Sequence, residues 1–139
     1  MSAIVRRVFR CIRGDFFTND NSKQKNLVRY ILRKFTEHNG YKYSFYFDQP
    51  TIEHFYPQSK ISDEWPDEIV GSLGNLFYLE EKHNGKFSVK IPSDKRKYIK
   101  DNRLSAPKVI KTSKTWTPEQ VQKHTRQMAE EAWQTIWKI

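Results

Sequence analysis

Two short β-prone runs joined by an irregular polar linker constrain this chain more than any other feature of it. The first is Thr51-Ile52-Glu53-His54-Phe55-Tyr56, closed by Pro57-Gln58. The second is Leu76-Phe77-Tyr78-Leu79, opened by Leu73-Gly74-Asn75 and followed by Glu80-Glu81-Lys82-His83-Asn84. Pro66 and Gly71 punctuate the linker between them. This pattern predicts strand, loop, strand and helix, with strands over 51–56 and 76–79 and a helix from Glu80 to about Lys90. Gly85 weakens that helix by roughly 1 kcal/mol relative to alanine and is expected to shorten or break it.

The residue types at the ends of these runs carry chemistry. A hard metal ion takes oxygen ligands such as the Glu53 carboxylate and the Asn84 amide. A hydrolytic site needs an imidazole such as His54, able to take a proton near neutral pH. Successive strand residues point to opposite faces, so the strand has to end or twist at Glu53-His54 for both to serve one site.

Glu53-His54, Pro57-Gln58, Gly74-Asn75-Leu76, Leu79, Asn84, Phe87 and Lys90 together resemble the HNH, or ββα-metal, nuclease motif. More closely, the stretch is similar to the C-terminal nuclease domain of GmrSD-type modification-dependent restriction enzymes, and a tryptophan-rich C-terminal helix from Trp116 adds to the likeness. The resemblance implies an α+β domain in which a ββα-metal core packs among helices. It implies His54 as general base, Glu53 and Asn84 as ligands of one Mg²⁺ or Mn²⁺, and Asn75 as the residue that ties the loop and holds the His54 backbone. The expected reaction is hydrolysis of DNA phosphodiester bonds, double-stranded DNA foremost, leaving 5′-phosphate and 3′-hydroxyl ends. The expected setting is the effector of a bacterial restriction or anti-phage system, with specificity supplied by a regulatory or specificity partner. Family members often carry Asp where Glu53 stands, and many HNH proteins use His where Asn84 stands, with His83 adjacent here. The nine-residue step from Asn75 favours Asn84. Two other readings stay open on the sequence: a catalytically silent nucleic-acid-binding module, and an interaction domain of a defence complex.

Composition fits this frame. A chain of 139 residues suits one domain, with 37% hydrophobic and 29% charged side chains. No apolar run approaches the ~20 residues of a membrane span. The basic start from Ile4 to Ile12 is interrupted by Arg6, Arg7 and Arg10 and is no secretory signal. The single cysteine, Cys11, excludes an internal disulfide and a cysteine-based zinc site, and a cytoplasmic location is expected. The net charge of +9 suits a polyanionic partner. Lys82, Lys90, Lys95, Arg96 and Lys97 are the candidates for holding the phosphate backbone.

The remaining chain reads as a helical lead-in over 1–40, the core over 41–92, and a basic segment with a C-terminal helix over 93–139, an arrangement expected of a domain excised from a larger protein. Helices are predicted over 2–13 and 23–38, the second with Leu27, Val28, Ile31, Leu32 and Phe35 on its apolar stripe. Tyr41 to Phe47 alternates like a strand. A short basic helix near Ser93 to Lys100 is followed by a loop. Thr117, Pro118 and Gln120 predict a capping box for the last helix, stapled by Trp116 and Val121. Its apolar side is expected to carry Val121, Met128, Ala132, Trp133, Ile136 and Trp137.

Overall fold

The Leu27-to-Phe35 stripe folds as α1 (Ser22–His38) in the computed structural model, which describes residues 22–39, 50–87 and 90–136. Val28, Ile31, Leu32 and Phe35 are buried along it. Asn39 ends the helix: its amide and its side chain both donate to the Phe35 carbonyl, at 3.1 and 2.8 Å. The helix expected over 2–13 and the strand expected over 41–47 lie outside the described residues.

β1 (Pro50–His54) and β2 (Leu76–Glu80) pair antiparallel, with Ile52 opposite Tyr78, Glu53 opposite Phe77 and His54 opposite Leu76. Alternation then sorts the hairpin into two faces. Ile52, Leu76 and Tyr78 face α1 and pack with Val28, Ile31, Leu32, Phe35, Leu73, Met128 and Ala132. On the other face Phe77 and Leu79 join Phe55, Phe87, Ile99 and Ile110. That second layer comes from three short helices, α3 (Glu81–Phe87), α4 (Pro92–Asp101) and α5 (Lys108–Thr112). A one-turn helix, α2 (Asp67–Val70), sits in the linker.

The long C-terminal helix α6 (Pro118–Glu131) starts as expected. The Thr117 amide donates to Gln120 Oε1 at 2.8 Å, and the Gln120 amide donates to Thr117 Oγ1 at 3.3 Å. Trp116 and Val121 pack in one cluster with Trp65 and Val70, which is the predicted staple. The described residues thus form an α+β fold, mostly helical, with a two-stranded antiparallel sheet and a C-terminal helix.

Three expectations change. Gly85 does not break the motif helix, which runs through it to Phe87, a residue that is fully buried. The stretch expected as a loop after α4 contains α5. Trp133 is 47% exposed, because at 100° per residue it stands a full step round from the buried Ala132, off the stripe of Val121, Met128 and Ala132. α6 continues as a π-helical turn over Ala132–Ile136, and Trp137 lies outside the described residues.

Candidate active site

β1 stops at His54, where the chain leaves the sheet towards Pro57. Asn75 fixes that exit. Its backbone carbonyl accepts from the Phe55 amide at 2.8 Å. Its side-chain Oδ1 accepts from the Tyr56 amide at 2.8 Å and from Trp116 Nε1 at 3.1 Å. Its Nδ2 donates to the carbonyls of Tyr56 at 3.0 Å and Val70 at 2.8 Å. A primary amide has four hydrogen-bonding positions, and all four are occupied by the protein. Asn75 therefore has none left for a substrate. It is a positioning residue, and the backbone it holds is that of Tyr56, two residues beyond the expected His54.

His54 Nε2 is enclosed and has no hydrogen-bond partner among the described residues. Burial and the nearby Lys95 charge pull its pKa down to about 4, against an opposing pull from Asp67. The ring is neutral at pH 7 and presents a lone pair, the form a proton acceptor needs. Glu53 is 6% exposed and, by register, lies on the hairpin face that carries Phe77 and Leu79. Burial pushes its carboxyl above the ordinary carboxylate range, with Lys95 pulling the other way. By register Glu53 pairs with Phe77 on the α3 side, and His54, the terminal residue, pairs with Leu76 on the α1 side.

On α3, the buried Phe87 marks the inward direction. At 100° per residue, His83 lies about 40° to one side of Phe87 and Asn84 about 60° to the other. His83 Nδ1 is 2.9 Å from the Tyr98 hydroxyl, and its ring meets the Tyr98 ring edge-on at 5.7 Å. His83 thus clasps α3 to α4. Asn84 is half-buried on the other flank of a helix that packs against β1.

The five expected phosphate contacts do not share one surface. Lys95 is 1% exposed, and its Nζ donates to the His54 carbonyl. Arg96 donates to the Ile110 carbonyl at 3.0 Å and Ser113 Oγ at 3.1 Å, with its guanidinium 5.4 Å from the Phe55 ring centre. Lys82 pairs with Glu80 at 2.6 Å. Lys90 is half-buried and Lys97 exposed. A run of three consecutive cations read as one patch in sequence is fanned by the helix over 200°, so two of them serve the interior. The expected outcome of Lys97→Glu is a uniform loss of DNA affinity and a log–log salt slope reduced by about one. Fluorescence anisotropy across salt concentrations reads both.

Lys95 and Trp116 carry site geometry that sequence reasoning did not assign, as do His124 and Thr125. The signal for the last two was present: with Val121, Met128 and Ala132 they complete a helical stripe, and polar residues on such a stripe need buried partners. Their partner is the Gly74 turn. The Gly74 amide donates to Thr125 Oγ1 at 3.0 Å, and its carbonyl accepts from His124 Nδ1 at 2.8 Å.

Both buried histidines make stability pH-dependent with the same sign. Burial lowers the pKa of His124, and burial with Lys95 lowers that of His54 to about 4. The unfolded chain then binds protons first, near pH 6.5, so stability is full above that pH and falls as the pH drops toward 4. For His54 the 2.5-unit difference is worth at most about 3 kcal/mol. Burial raises the Glu53 carboxyl to about 7, which acts in the opposite direction over the same range. The histidine effect is therefore read as a difference: urea unfolding midpoints measured from pH 7.5 to 4.5 should fall in wild type relative to a variant that lacks a buried imidazole. They should fall less steeply in His124→Asn, which starts from a lower stability at pH 7.5.

A family model for the C-terminal domain of GmrSD restriction endonucleases matches residues 12–131. Comparison with curated proteins and with solved structures gives no match.

Proposed function

The chain belongs to the family of GmrSD restriction endonuclease C-terminal domains, and on that premise we propose that it is a metal-dependent HNH endonuclease or nickase acting on double-stranded DNA. The single observation that carries this reading is the end of β1, where a neutral, enclosed imidazole, its Nε2 unpartnered among the described residues, follows a buried carboxylate. The hairpin followed directly by α3 has the order of a ββα-metal core. Family membership supports DNA as substrate and restriction as setting.

The donor set fits a hard divalent ion. A carboxylate as buried as Glu53 is costly unless a cation compensates it. Asn84, on the helix packed against β1, offers an amide oxygen. Among the described residues no three His, Cys, Asp or Glu side chains gather as a metal cage. The ion would therefore be held by Glu53 and Asn84, with water and phosphate oxygens completing the shell, as suits Mg²⁺ or Mn²⁺. When bound, it supplies charge that offsets the negative charge developing at the phosphate and the leaving oxygen.

The chain's own residues do the rest. His54 Nε2 takes the proton of the attacking water. The Lys95 hydrogen bond fixes the His54 carbonyl, and Asn75 fixes the chain just beyond it. Among the described residues no helix is long and apolar enough to cross a membrane.

The test is a supercoiled-plasmid assay with Mg²⁺ or Mn²⁺. Nicking or linearisation abolished by EDTA is expected, and DNA binding without cleavage under every metal would favour a silent binding module. In the same assay Glu53→Ala and Asn84→Ala should lose cleavage, with partial recovery at raised Mn²⁺. His83→Ala should keep cleavage and lose about 1 kcal/mol of stability with its Tyr98 contact. An inactive His83→Ala beside an active Asn84→Ala would exchange their roles.

A further inference from the structure

Lys95 is the one fully buried cation among the described residues, and no step of the hydrolysis above consumes its charge. Its ammonium donates to the His54 carbonyl at the end of β1 and lies 5.9 Å from the centre of the Phe87 ring on α3. Those two elements are the ones that carry Glu53 and Asn84. By register, Glu53 lies on the hairpin face covered by α3 and α4, and Lys95 projects inward from α4. Glu53 and Lys95 each sit in the other's electrostatic field. A buried ammonium needs compensation, and one carbonyl and one ring face are modest partners. Glu53, one residue before the carbonyl that Lys95 holds and on the hairpin face that α4 covers, is the acidic group whose field opposes that cost.

We propose that Lys95 is the built-in counter-ion of the metal-free site, a positioning residue that neutralises Glu53, anchors His54 and holds divalent affinity low. The inference rests on the metal-dependent reading above. A buried positive charge on the strand end that would hold a divalent cation opposes its binding, and the repulsion is strong where water is excluded. At the same time the lysine's hydrogen bond keeps the catalytic imidazole in place. The two effects have opposite consequences when Lys95 is removed, and that makes the role separable from simple structural support.

Lys95→Met keeps the apolar stem and removes the charge and the donor. Isothermal titration of the folded, metal-free protein with Mn²⁺ should show affinity roughly tenfold tighter than wild type. Plasmid cleavage at saturating Mn²⁺ should nevertheless be slower. A lysine that only supports the fold would give weaker binding and slower cleavage together, and that result, or unchanged affinity, overturns the proposal. Should Lys95→Met not fold, the wild-type protein decides the matter. With ¹⁵N-labelled lysine, the Lys95 ammonium resonance should shift as Mg²⁺ fills the site, and a resonance indifferent to saturating Mg²⁺ overturns it equally. Wild-type binding that the substitution does not tighten removes the Lys95 role alone. Absence of divalent binding in wild type and variant alike removes the metal-site reading and this inference with it.

Discussion

His54→Ala should cut plasmid cleavage by ~10²–10⁴-fold, the usual cost of losing a general base, while leaving the fold and Mn²⁺ binding unchanged. The substitution removes an imidazole that is neutral at pH 7 and whose Nε2 has no partner among the described residues. No hydrogen bond from that atom is lost, and an enclosed polar atom without a partner is itself unfavourable. The backbone at this position stays anchored through its own carbonyl, which Lys95 holds whatever the side chain. The loss is therefore expected in rate rather than stability. Circular dichroism melts and Mn²⁺ titration alongside the plasmid assay check both halves. A fully active variant would sink the HNH mechanism for this chain.

Gly74→Ala is expected to have the largest effect on folding. A β-carbon there would stand 2.3 Å from the Val121 carbonyl oxygen, 2.4 Å from Thr125 Oγ1 and 2.8 Å from the Thr125 amide nitrogen. Two of these three atoms belong to the backbone of α6, so no flexible side chain can swing away. Relief requires the turn and the helix to part, which breaks the bonds from Gly74 to Thr125 and His124 in a buried setting. Overpacking costs ~1–3 kcal/mol, and each buried polar group left unpaired adds ~1–3 kcal/mol. For a domain of this size the Tm should fall by roughly ten degrees or more. Asn75 is the next residue, so cleavage should fail with the fold, because the clasp on Tyr56 shifts with the turn. A melting temperature equal to wild type would show that α6 does not approach the turn this closely.

The sequence by itself determined α1, the two strands, α3, α4 and α6 in their order. The Leu27-to-Phe35 stripe, the Thr117 capping box, the two β-prone runs and the Glu-His pair each depend on residues near one another in the chain, where periodicity and capping chemistry act. It also nominated His54, Glu53 and Asn84 for the proposed chemistry, because residue type and spacing are local facts. What the tertiary structure decided is which groups meet. Lys95 and Arg96 read as surface charge beside Lys97, yet the rotation of α4 buries Lys95 and half-buries Arg96, where they hold the His54 and Ile110 carbonyls. His83 read as a free alternative to Asn84 until Tyr98, from the next helix, took its ring nitrogen. The glycine of Gly74-Asn75 read as a turn residue, but a contact fifty-one positions away on α6 leaves no room for a side chain. Burial and long-range pairing depend on how helices pack across the hairpin, and that packing leaves no periodic mark in the chain.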